Sequence, residues 1–182
     1  MKLTKSEKLI ILMLCDIQEK MGVQGDFDAK FIKSAIFAGQ SWALDWQYGA
    51  ALHDEDSNPK IVGEVCDILD MWEALEIGYE DLSSADKARV ASEADPFGKD
   101  IRFRGFDGNR ESGHLGVARF LVESMGRYSR FVSRDLNSHG PSIEMYRRML
   151  NAYKSLNLAG DQPDANQIIA VLKECVHPSR RT

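Results

Sequence analysis

Between residues 61 and 79, large apolar side chains recur in alternating steps of four and three residues. The stripe consists of Ile61, Val65, Ile68, Trp72, Leu75 and Tyr79. This spacing is typical of an α-helix with one buried face, and it is sustained for about five turns. Asn58 and Pro59 precede the stripe as a capping residue and a first-turn proline, the order in which helices commonly begin. The chain therefore contains at least one long helix that must pack against other elements.

The opposite side of this predicted helix carries carboxylates, namely Glu64, Asp67, Asp70, Glu73 and Glu76. Carboxylates three residues apart can hold a divalent cation in helical di-metal proteins, but those sites use Glu-x-x-His pairs from facing helices. This stretch contains no such pair. We therefore predict an acidic face in contact with solvent, and no metal site.

Other segments also show helical patterns. Thr4 and Glu7 form a capping-box pair ahead of a predicted helix from Lys5 to Met21. Further helices are expected between Ser83 and Asp95, between Arg110 and Tyr128, from Pro141 or Ser142 to Ser155, and from Asp164 to Val176. The sequence predicts an all-α, single-domain bundle of about six or seven helices over residues 1–182. A short extended segment and turn are expected near residues 101–109, and residues 177–182 are expected to be frayed.

Apolar residues cover nearly every side of the segment that follows Asp26. We predict one long helix from Asp26 to about Leu52, with aromatic residues such as Trp42 and Trp46 one turn apart. A helix of this kind must be buried all round, either at the centre of the domain or against another subunit. This surplus of apolar surface favours self-association, most simply as a homodimer.

Charge and cysteine content limit the possible partners. The 182 residues carry a net charge of −5, with a pI near 5.4, which argues against general affinity for nucleic acids or anionic membranes. The apolar run from Leu9 to Cys15 is too short to span a bilayer and lacks the features of a signal peptide. Cys15, Cys66 and Cys175 form no metal-binding pattern, so a reducing cytoplasm fits best. Cys15 and Cys66 are expected to be buried, and Cys175 to be exposed.

Residues 101–131 combine basic, acidic, glycine and aromatic residues more densely than any other stretch. These residues suggest a candidate cluster for binding a ligand or an anion. It consists of Arg102, Arg104, Asp107, Glu111, His114 and Arg127, together with His139 further along the chain. If these side chains converge on a cleft, the guanidinium groups could hold an anion and a histidine could transfer protons. In the structural alternative, which we favour, Arg119, Glu123 and Arg127 form ion pairs along a helix and Asp107 caps that helix.

The same region carries a family resemblance. The matching residues are Phe103-x-Gly105-Phe106-Asp107, Glu111, Leu115, Arg119-Phe120, Gly126-Arg127-Tyr128, Pro141 and Tyr146-x-Arg148-Met149-Leu150. In these residues the chain resembles the YfbU family of bacterial cytosolic proteins. The resemblance implies a mostly helical, oligomer-forming protein of uncharacterised function, and it supplies no catalytic residues. The chain departs from the family pattern at Met125, where members can carry Glu.

Three functional hypotheses remain. The first is a helical homo-oligomer that acts as an interaction or regulatory module, with an unidentified protein as a possible partner. The surplus of apolar helix surface and the lack of a catalytic motif favour it. The second is a small-molecule enzyme or anion-binding protein that uses the arginine and histidine cluster. The third, nucleic-acid binding through residues such as Arg147, Arg148, Arg180 and Arg181, is the least favoured because the chain is acidic. No P-loop, G-x-G-x-x-G or H-E-x-x-H pattern is present, and no cofactor is expected.

Overall fold

The computed structural model describes residues 2–49, 60–158 and 161–180. Within those ranges the chain forms eight α-helices and no β-strand, which confirms the all-α class. The helices are α1 (Lys5–Met21), α2 (Ala29–Phe37), α3 (Trp42–Tyr48), α4 (Lys60–Asp81), α5 (Ser84–Glu93), α6 (Ser112–Arg119), α7 (Ile143–Ser155) and α8 (Ala165–Lys173). Short 3-10 turns cover Phe97–Lys99, Ser129–Phe131 and Pro178–Arg180. The predicted caps Asn58 and Pro59 lie outside the described residues.

Helix α4 is the centre of the bundle, and α6, α7 and α8 pack against it. The predicted stripe is confirmed, since Val65, Ile68 and Leu75 are completely buried and Ile61 and Tyr79 pack at its edges. A single hydrophobic core draws side chains from α2 through to the end of α8. The helix with the most regular sequence pattern is therefore the one around which the others are arranged.

The long helix predicted from Asp26 to Leu52 is wrong, because two helices form there, and the described residues contain eight helices where six or seven were expected. Helix α2 is capped by Asp28, not Asp26, and it ends before Gly39, whose φ is +70°. The N–H of Gly39 donates to the carbonyl of Ile36 at 3.1 Å, and that of Gln40 to the carbonyl of Ala35 at 2.8 Å. This is the Schellman arrangement that terminates helices at a left-handed glycine. Residues 50–52 lie outside the described residues.

Because α2 and α3 both pack into the core, the exposed apolar stripe lies on another helix, α1. Trp42, Ala43 and Leu44 of α3 and Ala35 of α2 belong to the core of the domain. Helix α1 packs mainly against α2, and Cys15 is its only buried residue. The predicted capping box of α1 is confirmed, with Glu7 N–H donating to the Thr4 hydroxyl at 3.2 Å. Its other face consists of apolar side chains exposed to solvent.

The segment 101–109 is extended, as predicted, and lies beside residues 134–138. Phe106 N–H donates to the carbonyl of Leu136 at 2.9 Å, and Ser138 N–H donates to the carbonyl of Phe106 at 3.2 Å. Gly105 has a φ of +88°, and a β-carbon at this position would lie 1.7 Å from the carbonyl oxygen of Leu136. These contacts fix the two segments side by side on the surface of the bundle.

The helix predicted between residues 110 and 128 is present as α6, which continues as one π-helical turn over Phe120–Ser124 and stops before Gly126, where φ is +64°.

The exposed position predicted for Cys175 is wrong. Cys175 follows α8, is 7% exposed, and packs its thiol against Met149. This burial raises the pKa of Cys175 to about 12. A thiol in such surroundings is a core side chain and not a nucleophile.

Candidate functional site

Three residues of the predicted cluster, Arg102, Arg104 and His139, line one groove of about 340 Å³. Its walls are the extended segment 102–104 and the segment 134–139, which also contributes Arg134 and Asn137. Arg102 and Arg134 also line a neighbouring groove of about 400 Å³. The pairing of the two segments through Phe106 and Asn137 places these side chains together, although the two segments are about thirty positions apart in the chain.

The groove contains both charged donors and local carboxylates. Asp100 binds both arginines, at 3.3 Å from Arg102 Nε and 2.6 Å from Arg104 Nη2. His139 Nε2 lies 3.2 Å from Asp135 Oδ2. The backbone N–H of Asn137, followed by His139, holds the pKa of Asp135 below its ordinary value. Asp135 is therefore an anion at neutral pH, and it lies on the wall opposite the two arginines.

Asp107 and Glu111 are buried, and they stabilise the backbone near the groove. Glu111 accepts hydrogen bonds from the backbone N–H groups of Asp107 at 2.9 Å, Ser142 at 2.8 Å and Ile143 at 2.8 Å. Burial alone would raise the pKa of Glu111, but these hydrogen bonds outweigh it and lower the pKa. Glu111 thus satisfies the first N–H groups of α7 from another part of the chain.

The prediction that Asp107 caps the following helix is wrong. Its carboxylate accepts a hydrogen bond from the N–H of Asn109 at 3.0 Å, which closes a turn two residues ahead of Glu111. Glu111 itself precedes the first residue of α6 and makes no side-chain cap there. The helix begins after this turn, so the Asp107 side chain is too far back to reach its first N–H groups.

His114 points towards α4 and α7, where it joins an ion-pair network. His114 Nε2 lies 2.9 Å from Glu64 Oε2, and Arg147 Nε donates to Glu64 Oε1 at 2.6 Å. The ring of His114 also packs on Phe106, with centroids 5.5 Å apart. The hydrogen bonds from Arg147, followed by that from His114, outweigh burial and lower the pKa of Glu64 to about 2.

This network predicts a stability change with pH. Because the folded-state pKa of Glu64 lies below its ordinary value of 4.5, its contribution is complete above pH 4.5 and is lost as the pH falls towards 2. We expect Glu64→Gln to lower Tm at pH 7 by roughly 2–5 °C, and this difference from wild type to shrink between pH 4.5 and 2.5. Thermal melts followed by circular dichroism measure both effects.

Glu144→Gln is the matched control for this experiment. Glu144 binds the same Arg147 but is 73% exposed, so its substitution should change Tm little at any pH. A difference between wild type and Glu64→Gln that stays constant from pH 7 to pH 2.5 would contradict the assignment of the effect to the ionised carboxylate.

The ion pairs predicted along α6 are not formed. Arg127 lies over the ring of Trp46, with its guanidinium carbon 5.3 Å from the centroid, and Arg119 approaches Asp135 at 3.9 Å. The helix changes to a π-helical turn at Phe120, so residues 119, 123 and 127 no longer follow one row. Arg127 therefore belongs to an aromatic contact with α3 and not to the groove.

The acidic face predicted for α4 is largely paired, and one of its members is buried. Glu76 is 4% exposed, and both its oxygens accept hydrogen bonds from Arg134, each at 2.8 Å. Glu76 Oε1 also accepts the backbone N–H of Phe103 at 2.8 Å. Asp67 binds Lys154 at 2.6 Å. The prediction of a face in contact with solvent is thus wrong for Glu76, whose partners lie at distant positions in the sequence.

Two of the four arginines considered for nucleic-acid binding are held by the protein itself. Arg147 binds Glu64 and Glu144, and Arg148 donates to the backbone carbonyls of Glu174 and Cys175. Arg181 lies outside the described residues.

Within residues 2–49, 60–158 and 161–180, no group of three metal-ligating side chains is close enough to hold an ion. In the same ranges no helix has the length and apolar character needed to cross a membrane.

Comparison with protein families gives a match over most of the chain. The model of the YfbU domain matches residues 1–170, which include α1 to α7 and the first six residues of α8. The match extends the resemblance noted between Ile101 and Leu150 to the N-terminal helices. The helical fold, the Gly105 contact and the buried Asp107 and Glu111 all fall within the matched region. The chain therefore belongs to the YfbU family.

Proposed function

We propose that this protein is an interaction module that self-associates, and that two copies pair through the exposed face of α1. The observation that carries the proposal is a stripe of large apolar side chains, each 51–69% exposed. The α1 stripe consists of Leu9, Ile10, Met13, Leu14, Ile17 and Met21. On a helix these positions lie within an arc of roughly 140°. A face of this kind is energetically costly in water and favours association.

The area of the α1 stripe supports a second copy as the occupant. Each of its side chains exposes roughly 100 Å², so the stripe offers roughly 600 Å² against about 800 Å² per partner in a stable interface. The polar residues that border α1 can supply the remaining area as a rim. A two-fold contact uses the same patch on both copies, so no other apolar surface is required.

The spacing along α1 also favours pairing with an identical helix. Ile10, Leu14, Ile17 and Met21 follow one another in steps of four, three and four residues. This is the spacing with which apolar side chains of one helix fit between those of another in paired helices. Since α1 carries this pattern, a second α1 is the simplest partner that matches it.

The α1 stripe is presented by a helix that is already fixed. The capping box at Thr4 and the left-handed Gly22 define its two ends, and Cys15 packs its other face on α2. Lys33 of α2 binds Asp16 at 2.6 Å and Glu19 at 2.9 Å, which ties the two helices together. Pairing therefore does not require the helix to form during association, and its entropic cost is small.

Leu14→Asp tests the proposal by sedimentation equilibrium. We expect wild-type protein at about 50 µM to have twice the chain mass of 20.5 kDa, and Leu14→Asp to weaken pairing at least about a hundredfold. Leu14 is 58% exposed, so the variant should keep the wild-type helical circular dichroism. Val132→Asp is the matched control, since Val132 is 50% exposed but lies outside α1. A monomeric wild type, or equal weakening by both variants, would overturn the proposal.

We also expect the protein to function in the cytoplasm. Cys15, Cys66 and Cys175 are all free thiols, two of them buried in the core. Free thiols persist in the reducing interior of the cell, whereas secreted proteins tend to pair their cysteines. Fractionation of cells that express the protein, followed by detection with an antibody, tests this expectation.

A further inference from the structure

We propose that the groove between the segments 102–104 and 134–139 binds a small oxyanion of the phosphate class. The groove shares no residue with the α1 stripe, so the proposal is independent of self-association. Arg102, Arg104 and Arg134 contribute three positive charges to its lining, and Asp135 contributes one negative charge. Asp100 pairs with Arg102 and Arg104, and Glu76 pairs with Arg134, so the proposal depends on free guanidinium donors and not on an excess of positive charge.

Both exposed arginines retain hydrogen-bond donors that no other described residue uses. Arg102 contacts Asp100 through Nε, which leaves its two terminal amino groups. Arg104 contacts the same carboxylate through Nη2, which leaves Nε and Nη1. A guanidinium group matches the oxygens of phosphate in a planar fork, so two such groups on one wall can hold several oxygens of one ion.

The opposite wall contributes a donor as well. The amide oxygen of Asn137 accepts the backbone N–H groups of Gly108 and His139, both at 3.0 Å. Because the oxygen is fixed in this way, the Nδ2 group of Asn137 remains as a donor. Arg134 is bound to Glu76, which balances its charge, so it lies beside the site without adding net charge. Donors on two walls suit an ion whose oxygens point in several directions, which a tetrahedral phosphate has and a planar carboxylate lacks.

The backbone that carries these groups is fixed before any ligand binds. The carbonyl of Gly105 accepts hydrogen bonds from the Ser142 hydroxyl and the Tyr146 hydroxyl, each at 3.1 Å. Phe106 is paired with Leu136 and Ser138 across the two segments. A ligand therefore need order only the two arginine side chains, which limits the entropic cost of binding.

Titration of the full chain with inorganic phosphate, at constant ionic strength maintained with sodium chloride, tests the site. We expect a saturable rise in Tm for wild type and a much smaller rise with acetate. The double variant R102Q/R104Q should lose at least about tenfold in phosphate affinity, and R102K/R104K should lose less because the charge remains. Arg102 and Arg104 are 61% and 58% exposed, so these variants should fold normally.

The double variant R89Q/K173Q removes the same charge from α5 and α8, which contribute no residue to the lining of the groove, and serves as the matched control. If it retains wild-type phosphate affinity while R102Q/R104Q does not, the site is supported. A phosphate effect that does not saturate up to about 20 mM, or that both double variants lose equally, would overturn it, because non-specific screening depends only on net charge. These results do not depend on the oligomeric state of the protein.

Discussion

Glu76→Ala is expected to lower the free energy of unfolding by about 3–5 kcal/mol, the cost of removing one partner from a buried ion pair. The substitution leaves the guanidinium of Arg134 without its two carboxylate bonds and the buried N–H of Phe103 without an acceptor. For a chain of this size the loss corresponds to a decrease in Tm of roughly 10 °C. Urea denaturation of wild type and variant, followed by circular dichroism, gives the difference directly.

Glu80→Ala provides the control on the same helix. Glu80 binds Arg130 at 2.8 Å, one turn after Glu76, but its side chain is 62% exposed. Water can replace the lost partner there, so we expect little change in Tm. If Glu76→Ala and Glu80→Ala were equally mild, burial would not be the source of the stability assigned to Glu76.

Glu76 also shows where sequence periodicity stops being informative. The stripe from Ile61 to Tyr79 correctly predicted α4, because burial of one helical face depends on spacing that is visible within a single segment. Whether a carboxylate beside that face is solvated depends on what covers it. Glu76 is shielded from water by Arg134 and Phe103, which belong to the two segments that form the groove. That information is tertiary, and a single helix pattern does not contain it.

The break between α2 and α3 could have been predicted more accurately. Apolar residues continue across it, and they supported one long helix because both halves are buried in the same core. Gly39 is the local signal, since its left-handed conformation closes a Schellman motif with Ala35 and Ile36. Glycine is also tolerated inside helices, however, so its presence alone does not distinguish an end from an interior position.

The candidate site could be predicted only in part, because charged residues that are close together in the sequence need not be close together in space. Arg102 and Arg104 alternate along an extended segment and reach the groove together. Glu111 and His114, although close in sequence, point to α7 and α4. The further groove residues, Arg134 and Asn137, were missed because they lie in a polar connection with no regular spacing.

Gly105→Ala is expected to destabilise the protein by about 4 kcal/mol, which places it among the most severe single substitutions. An alanine β-carbon would lie 1.7 Å from the carbonyl oxygen and 2.0 Å from the carbonyl carbon of Leu136. Both are backbone atoms, so no side-chain rotation can relieve the overlap. The segments must separate, which breaks the hydrogen bonds of Phe106 to Leu136 and of Ser138 to Phe106. Equilibrium unfolding in urea measures the loss.

Gly126→Ala separates the two causes of this effect. Gly126 has a φ of +64°, similar in sign to the +88° of Gly105, but no atom lies within 4 Å of the position of an added β-carbon. Its substitution should therefore cost only the backbone strain of a left-handed alanine, about 1–2 kcal/mol. The difference between the two variants measures the close approach of Gly105 to Leu136. Equal losses would mean that backbone conformation alone requires glycine at residue 105, and that the two walls of the groove can move apart at little cost.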